Sequence, residues 1–193
     1  VKLLPQEFYF EDTTEVAKRL LGKILCVKGE SGAVHKARIV ETEAYLGPED
    51  RAAHTFGGRR TPRVEPMYLD GGHSYVYLIY GMYYCLNFVT RDTEHPEAVL
   101  IRALEPFPFV EMKKKDMKMN GPGKLCRELA ITKEHNALKL WKKSSELYVC
   151  EDDFEVREDQ IAARPRIGVD YAGEAAAWPL RFYIRGNKFI SKE

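Results

Sequence analysis

Two neighbouring runs constrain this chain more than any other stretch: Ser74-Tyr-Val-Tyr-Leu-Ile-Tyr80 and Tyr84-Cys-Leu-Asn-Phe-Val-Thr90. Both are dense in aromatic and β-branched residues, which suit a pleated, half-buried surface. Only Gly81 and its neighbours separate them, so the pattern predicts a β-hairpin with its tip at Tyr80-Gly81-Met82. Such a hairpin needs other elements to cover its apolar face. Short apolar runs at 24–27, 98–104, 166–169 and 180–185 read as further strands, and 38–46 reads as a strand with a period-two pattern. In that pattern Val40, Thr42, Ala44 and Leu46 share one face, and Ile39, Glu41, Glu43 and Tyr45 share the other. Helices are fewer. Asp12 followed by Glu15 marks a helix start, Val16, Ala17, Leu20 and Leu21 keep helical spacing, and Gly22 ends it. A second helix is expected after Pro108 through to about Met119, and a short third one opens at Gly121-Pro122 over Leu125, Leu129 and Ala130. Strands dominate without regular alternation with helices. The expectation is an α+β fold, a single domain over 1–193 around a curved, mostly antiparallel sheet with a protruding hairpin.

Composition excludes some classes. With 45% hydrophobic and 31% charged residues the chain is ordinary for a globular protein, and no apolar run approaches the ~18 residues of a membrane span. Residues 1–10 lack the basic start, apolar run and small-residue site of a secretory signal. Cys26, Cys85, Cys126 and Cys150 stand far apart with no C-x-x-C pair, which argues against a zinc ribbon; three lie within apolar runs, where a buried free thiol is the usual reading, and the setting is taken as reducing and intracellular. The formal net charge is +1, so any nucleic-acid binding must come from local patches. Two basic clusters exist: Arg59, Arg60 and Arg63 in a Gly/Pro-bearing loop, and Lys113, Lys114, Lys115 and Lys118. Read alone, the lysines are a solvated face.

Chemistry-bearing residues gather around the 38–46 strand and the hairpin. Glu43 and Tyr45 share a strand face, and His54 follows on a loop able to fold back over it. The hairpin adds Tyr75, Tyr77, Tyr80, Tyr83 and Tyr84, with Asn87 near its end. Aromatic surfaces of this kind hold an extruded base. Arg102 lies in an otherwise apolar strand, where a guanidinium needs a partner, and Glu43 is the natural one. Each residue also has a plain structural alternative. The glutamates could form a solvated strand face and the tyrosines core edges. His54 could be a satisfied loop histidine, Asn87 a strand-end cap and Arg102 half of a structural ion pair. From spacing alone the chain is an α+β domain with an aromatic-lined acidic site.

Several motifs carry a resemblance. They are Glu41-Thr-Glu-Ala-Tyr-Leu-Gly-Pro-Glu-Asp50 with Ala52-Ala-His54, Gly57-Gly-Arg-Arg-Thr-Pro-Arg63, Tyr75-Val-Tyr-Leu-Ile-Tyr-Gly-Met82 with Cys85-Leu-Asn87, Leu100-Ile-Arg-Ala-Leu-Glu-Pro106, Gly121-Pro-Gly-Lys-Leu-Cys126, and Arg166-Ile-Gly-Val169 with Ala172-Gly-Glu174. In this order they resemble the alkyladenine (3-methyladenine) DNA glycosylase family over nearly the whole chain. The resemblance implies a base excision repair enzyme that flips alkylated or deaminated purines from duplex DNA and hydrolyses the N-glycosidic bond, as a monofunctional enzyme without cofactor or metal. It implies Glu43 as catalytic base, Arg102 as partner of the attacking water, and Tyr45, His54 and Tyr77 as the walls that sandwich the base. Asn87 would disfavour guanine and Tyr80 would be the intercalating wedge, while Arg59, Arg60 and Arg63 would contact the DNA backbone. The implied partner is double-stranded DNA with damaged purines, met by a monomer in a bacterial cytoplasm or, in a eukaryote, a nucleus. The stretch from Arg102 to Gly121 is short, as in bacterial members, and Val64 and Pro66 depart from the family pattern. A non-enzymatic damaged-DNA binding protein would share the pocket without needing Glu43. An enzyme of free nucleosides would need neither wedge nor arginine loop.

Overall fold

In the computed structural model, which describes residues 1–29, 31–108 and 119–193, the elements are β1 (Lys2–Leu3), α1 (Thr13–Arg19), β2 (Ile24–Lys28), β3 (Val34–Tyr45), β4 (Ser74–Ile79), β5 (Tyr83–Thr90), β6 (Glu97–Pro106), α2 (Pro122–Glu128), β7 (Leu147–Glu151), β8 (Ile161–Arg164) and β9 (Arg181–Ile184). Among these residues the strands form one curled, antiparallel sheet in the order β1-β7-β2-β3-β6-β5-β4, with β9 on β3 and β8 on β9. The expected α+β class holds. The helix expected between Pro108 and Met119, and with it the lysine cluster, lies outside the described residues.

Strand β3 organises the sheet. Along one edge it pairs with β6 from Ala37 to Tyr45; along the other, Val34 to Lys28 through Arg38 to Ile24 is the pairing with β2, and Glu41 to Glu43 pairs with β9. The change of partner coincides with a bulge between Ile39 and Thr42 in the β3–β6 register. An extra residue bends the strand and changes which side chains share a face. The alternation read from sequence therefore holds only after the bulge. Ile39, expected beside Glu43, joins Val40 and Ala44 in the main core instead. Thr42 points the same way, its hydroxyl donating to the Ala17 carbonyl of α1 at 2.9 Å. The opposite face keeps Glu41 and Glu43, both fully buried.

The core lies between this sheet and the helices. Helix α1 is capped by Asp12, which accepts from Thr14 N at 2.9 Å and Glu15 N at 3.3 Å, a cap worth ~1 kcal/mol. It buries Val16 and Ala17 against β3, β6 and β9, followed by Leu20 beyond its end. Full burial of such aliphatic side chains contributes ~1.5–3 kcal/mol each. Helix α2 starts with Pro122, whose missing N–H costs nothing at this position, and buries Leu125 and Cys126 against β5 and β6.

The hairpin forms where expected. Ser74 faces Phe88 at its base and Ile79 faces Tyr83 at its tip. The turn closes with Met82 N donating to Ile79 O at 3.2 Å, and Tyr80 and Gly81 both take positive φ, 53° and 67°. That is the type I′ geometry matched to strand twist, in which glycine suits the second central position. Tyrosine at the first carries a left-handed backbone, a cost of ~1–2 kcal/mol.

Residues 166–169, expected as a strand, form an irregular segment; the neighbouring strand is Ile161–Arg164. A short apolar run could not distinguish a ladder from a segment whose side chains and amides turn inward. Strand β7 was not foreseen. All four cysteines are free and buried, one more than the three expected from apolar runs.

Candidate active site

The end of β3, strand β6 and the hairpin border a cavity of about 320 Å³, at the lower end of the roughly 300–1,000 Å³ typical of small-ligand sites. Tyr45, His54, Tyr77, Tyr80, Asn87 and Arg102 all line it, so the structure brings together six of the residues singled out in the sequence. Ile167, Gly168, Val169 and Tyr171 complete the wall opposite the hairpin.

Glu43 lies just beneath this wall. Its Oε1 accepts from the Ile167 amide at 2.9 Å and its Oε2 from the Tyr45 hydroxyl at 2.8 Å. Arg102 Nη1 stands 3.2 Å from Oε1. An ionised carboxylate offers about four lone-pair sites, so these contacts leave acceptor capacity beside Arg102. Burial pushes the Glu43 carboxyl above the ordinary carboxylate range, and neighbouring Glu41 pushes the same way. Arg102, the Ile167 amide and the Tyr45 hydroxyl pull it down but do not outweigh burial. A nearby guanidinium alone would hold this carboxyl low; full desolvation, which a strand pattern does not show, reverses the sign.

The aromatic wall is fixed by mutual contacts. The rings of His54 and Tyr77 meet edge to face at 4.6 Å, Tyr75 and Tyr77 tilt together at 5.4 Å, and His54 Nδ1 bonds the Tyr75 hydroxyl at 2.9 Å. Burial, then Arg63 and Arg59 nearby, lower the His54 pKa to about 4, so the imidazole is neutral at neutral pH. Burial raises the Tyr77 hydroxyl further above its ordinary value. Asn87 is held by donating Nδ2 to the Tyr75 carbonyl at 3.1 Å.

Tyr45 is braced from behind by an ion pair that sequence reasoning did not assign. Asp50 and Arg166 are both fully buried at the side chain and bonded at 2.5 and 2.8 Å, and the guanidinium lies 4.7 Å from the Tyr45 ring centre. Both residues sat within the quoted motifs; nothing in their spacing showed that residues 116 positions apart come together. Ile167 and Tyr171 were missed for the same reason.

Tyr80 is 83% exposed at the hairpin tip, flanked by exposed Leu78, Met82 and Tyr83. The three arginines are exposed but not equivalent. Arg60 is tied to Glu65 through Nε–Oε2 at 3.0 Å and Nη2–Oε1 at 2.5 Å, and lies over the Tyr68 ring. Arg63 donates to the Leu78 carbonyl at 3.2 Å and lies 5.3 Å from the Tyr77 ring centre.

A buried carboxylate beside a guanidinium, behind an aromatic-lined cavity that adjoins an exposed aromatic tip, is an arrangement able to receive a flat ring. Comparison with known proteins places it more narrowly. The family model for methylpurine-DNA glycosylase matches residues 7–188. A protein of Bdellovibrio bacteriovorus, provisionally named a 3-methyladenine DNA glycosylase, is 66% identical over 192 residues, covering 99% of this chain and all of its own length. Relatives with the same provisional name from Clostridium novyi and Desulfitobacterium hafniense are 46% and 47% identical, covering 100% and 99% of both chains. The chain belongs to the methylpurine-DNA glycosylase family, and is a hydrolase of N-glycosyl bonds with DNA as its substrate. Among the described residues no helix is long and apolar enough to cross a membrane.

Proposed function

We propose that this enzyme is a monofunctional base excision glycosylase that takes an alkylated purine, rotated out of duplex DNA, into the aromatic slot and hydrolyses its N-glycosidic bond. The observation that carries this reading is the Glu43–Arg102 pair, 3.2 Å apart: Arg102 lines the cavity walled by Tyr45, His54 and Tyr77, and Glu43 lies buried behind it.

A paired base is stacked on both sides, so its glycosidic carbon is out of reach until the nucleotide turns out, at a cost of a few kcal/mol. Tyr80 is exposed at the turn of the hairpin, and its ring is fitted to fill the gap in the stack. The extruded base regains ~1–3 kcal/mol by stacking on an aromatic wall. Alkylation at a ring nitrogen leaves the purine cationic, and electron-rich rings attract a cation by ~0.5–2 kcal/mol. A neutral His54 belongs in such a wall, since an imidazolium would repel the substrate. Asn87, anchored through its amide nitrogen, presents a fixed polar edge to the base.

Glu43 acts as general base. Ionised, it takes a proton from water as the bond to the departing purine breaks, and its negative charge favours the positive charge growing on the sugar. Its raised proton affinity makes it a better base once ionised. Arg102 orients the water and opposes the effect of burial by favouring the ionised form of Glu43. A cationic purine leaves without further protonation. Among the described residues the cavity wall carries no lysine, which supports hydrolysis by water over an amine-linked intermediate. The enzyme acts as a monomer in the bacterial cytoplasm.

Glu43→Gln tests the reading. Excision from a duplex bearing a methylated purine should fall by ~10²–10⁴, as for loss of a general base, while binding to an abasic-analogue duplex persists. Near-normal excision by this variant contradicts the assignment, and binding without excision by the unaltered chain would favour a damage-binding protein.

A further inference from the structure

Glu41, two residues before Glu43 on the same face of β3, is a second fully buried carboxylate. Its Oε1 accepts from Arg181 Nη1 and from the Ser191 hydroxyl, both at 2.9 Å, and its Oε2 accepts from the Ser191 amide at 2.6 Å. Arg181 is itself anchored to the Lys192 and Pro165 carbonyls at 2.7 and 3.1 Å. The cluster continues into Arg102. Its Nη2 donates to the Ser191 hydroxyl oxygen at 3.4 Å, and its Nε stands 3.5 Å from Glu41 Oε1. That Nε is buried and finds no hydrogen-bond acceptor among the described residues. Arg102 is therefore shared between two carboxylates and a hydroxyl. A guanidinium facing one carboxylate alone favours a parallel two-point pair.

From these contacts we infer that Glu41 is a positioning residue for excision: braced by Arg181 and Ser191, it holds the Arg102 guanidinium between two carboxylates, so that Arg102 flanks Glu43 without closing on both of its oxygens. The inference rests on Glu43 being the general base. With Glu41 neutral, two guanidiniums face a single carboxylate in this layer. Arg102 then turns onto Glu43, occupies the lone pairs that serve the water, and makes Glu43 a weaker base. The other groups facing Glu43 stay in place: Tyr45 on β3, Tyr77 on β4, Cys85 on β5, and Arg166, the Ile167 amide and Tyr171 from the segment before β9.

The test is the pH profile of single-turnover base release from a duplex with one methylated purine, for the unaltered enzyme and for Glu41→Gln, Ser191→Ala and Ser191→Thr. Glu41→Gln should bind DNA normally, lose roughly tenfold in plateau rate, short of the ~10²–10⁴ of removing the base itself, and move its acid limb to lower pH. Ser191→Ala should move the limb in the same direction, and Ser191→Thr, which restores the hydroxyl, should return it. A wild-type profile in both Glu41→Gln and Ser191→Ala overturns the inference, and if Glu41→Gln does not fold, a wild-type profile in Ser191→Ala alone does so. Should Glu43→Gln retain excision, the general-base reading itself fails; should Glu43→Gln be inactive while the Glu41 and Ser191 variants behave as wild type, only the positioning role fails.

Discussion

At the scale of single residues, burial sets the chemistry. His54 shows this most directly: its folded pKa is about 4 against an ordinary 6.5. Between those values the unfolded chain binds a proton that the folded state refuses, so stability falls as pH drops through this window and is undisturbed above it. His54→Phe keeps an aromatic ring and removes the proton. The loss of melting temperature between neutral pH and about pH 5 should be smaller in this variant than in the parent; equal losses would place the acid sensitivity elsewhere. The arginine loop divides in the same local way. Arg60 already has Glu65 as its counterion, whereas Arg59 and Arg63 act on His54 at the cavity rim. Replacing Arg59 by alanine should reduce the salt slope of DNA binding by about one unit, and replacing Arg60 should change it less. Equal changes on a plot of log affinity against log salt would return all three to one role.

At the scale of elements, two devices position the site: the bulge in β3 and the turn of the hairpin. The bulge lets one strand give Ile39, Val40 and Ala44 to the core while Glu41 and Glu43 meet Arg102 on the other side. The turn accepts a left-handed tyrosine and so displays an aromatic ring at the molecule's edge. Tyr80→Ala relieves that display without touching the cavity floor. It should slow extrusion, read as a smaller 2-aminopurine fluorescence rise on mixing with a labelled duplex, while excision from a single-stranded lesion is little changed; unchanged extrusion would remove the wedge role. The hairpin was legible in the sequence because its signal is local, a glycine between two β-rich runs. So was α1, from its Asp12 cap and helical spacing. The bulge was not, because one extra residue leaves no compositional trace, and an unbroken period-two reading placed Ile39 wrongly. The 166–169 segment misled for the opposite reason: it is apolar like a strand, yet its Ile167 amide serves Glu43 and not a ladder.

At the scale of the whole molecule, the site is a product of long-range closure. Glu43 and Arg102 come from neighbouring strands, Ile167 and Arg166 from a segment more than a hundred residues beyond Glu43, and Tyr77 and Tyr80 from the hairpin. Motif resemblance named six of the lining residues, since it carries the outcome of such closure. It could not supply the depth at which Glu43 is buried, and that depth decides its proton affinity. In the proposed mechanism this buried carboxylate, held beside Arg102, is the base that drives excision. The most direct measurement is the pH dependence of single-turnover base release from a duplex with one methylated purine, parent against Glu43→Gln. Glu43 must be ionised to act, and burial raises its pKa above the ordinary 4.5, so the rate of the parent should rise with pH through a limb lying above that value, and the limb should vanish in Glu43→Gln along with most of the activity. A rate in the parent that is flat through the acidic range, or the same limb persisting in Glu43→Gln, would contradict the account.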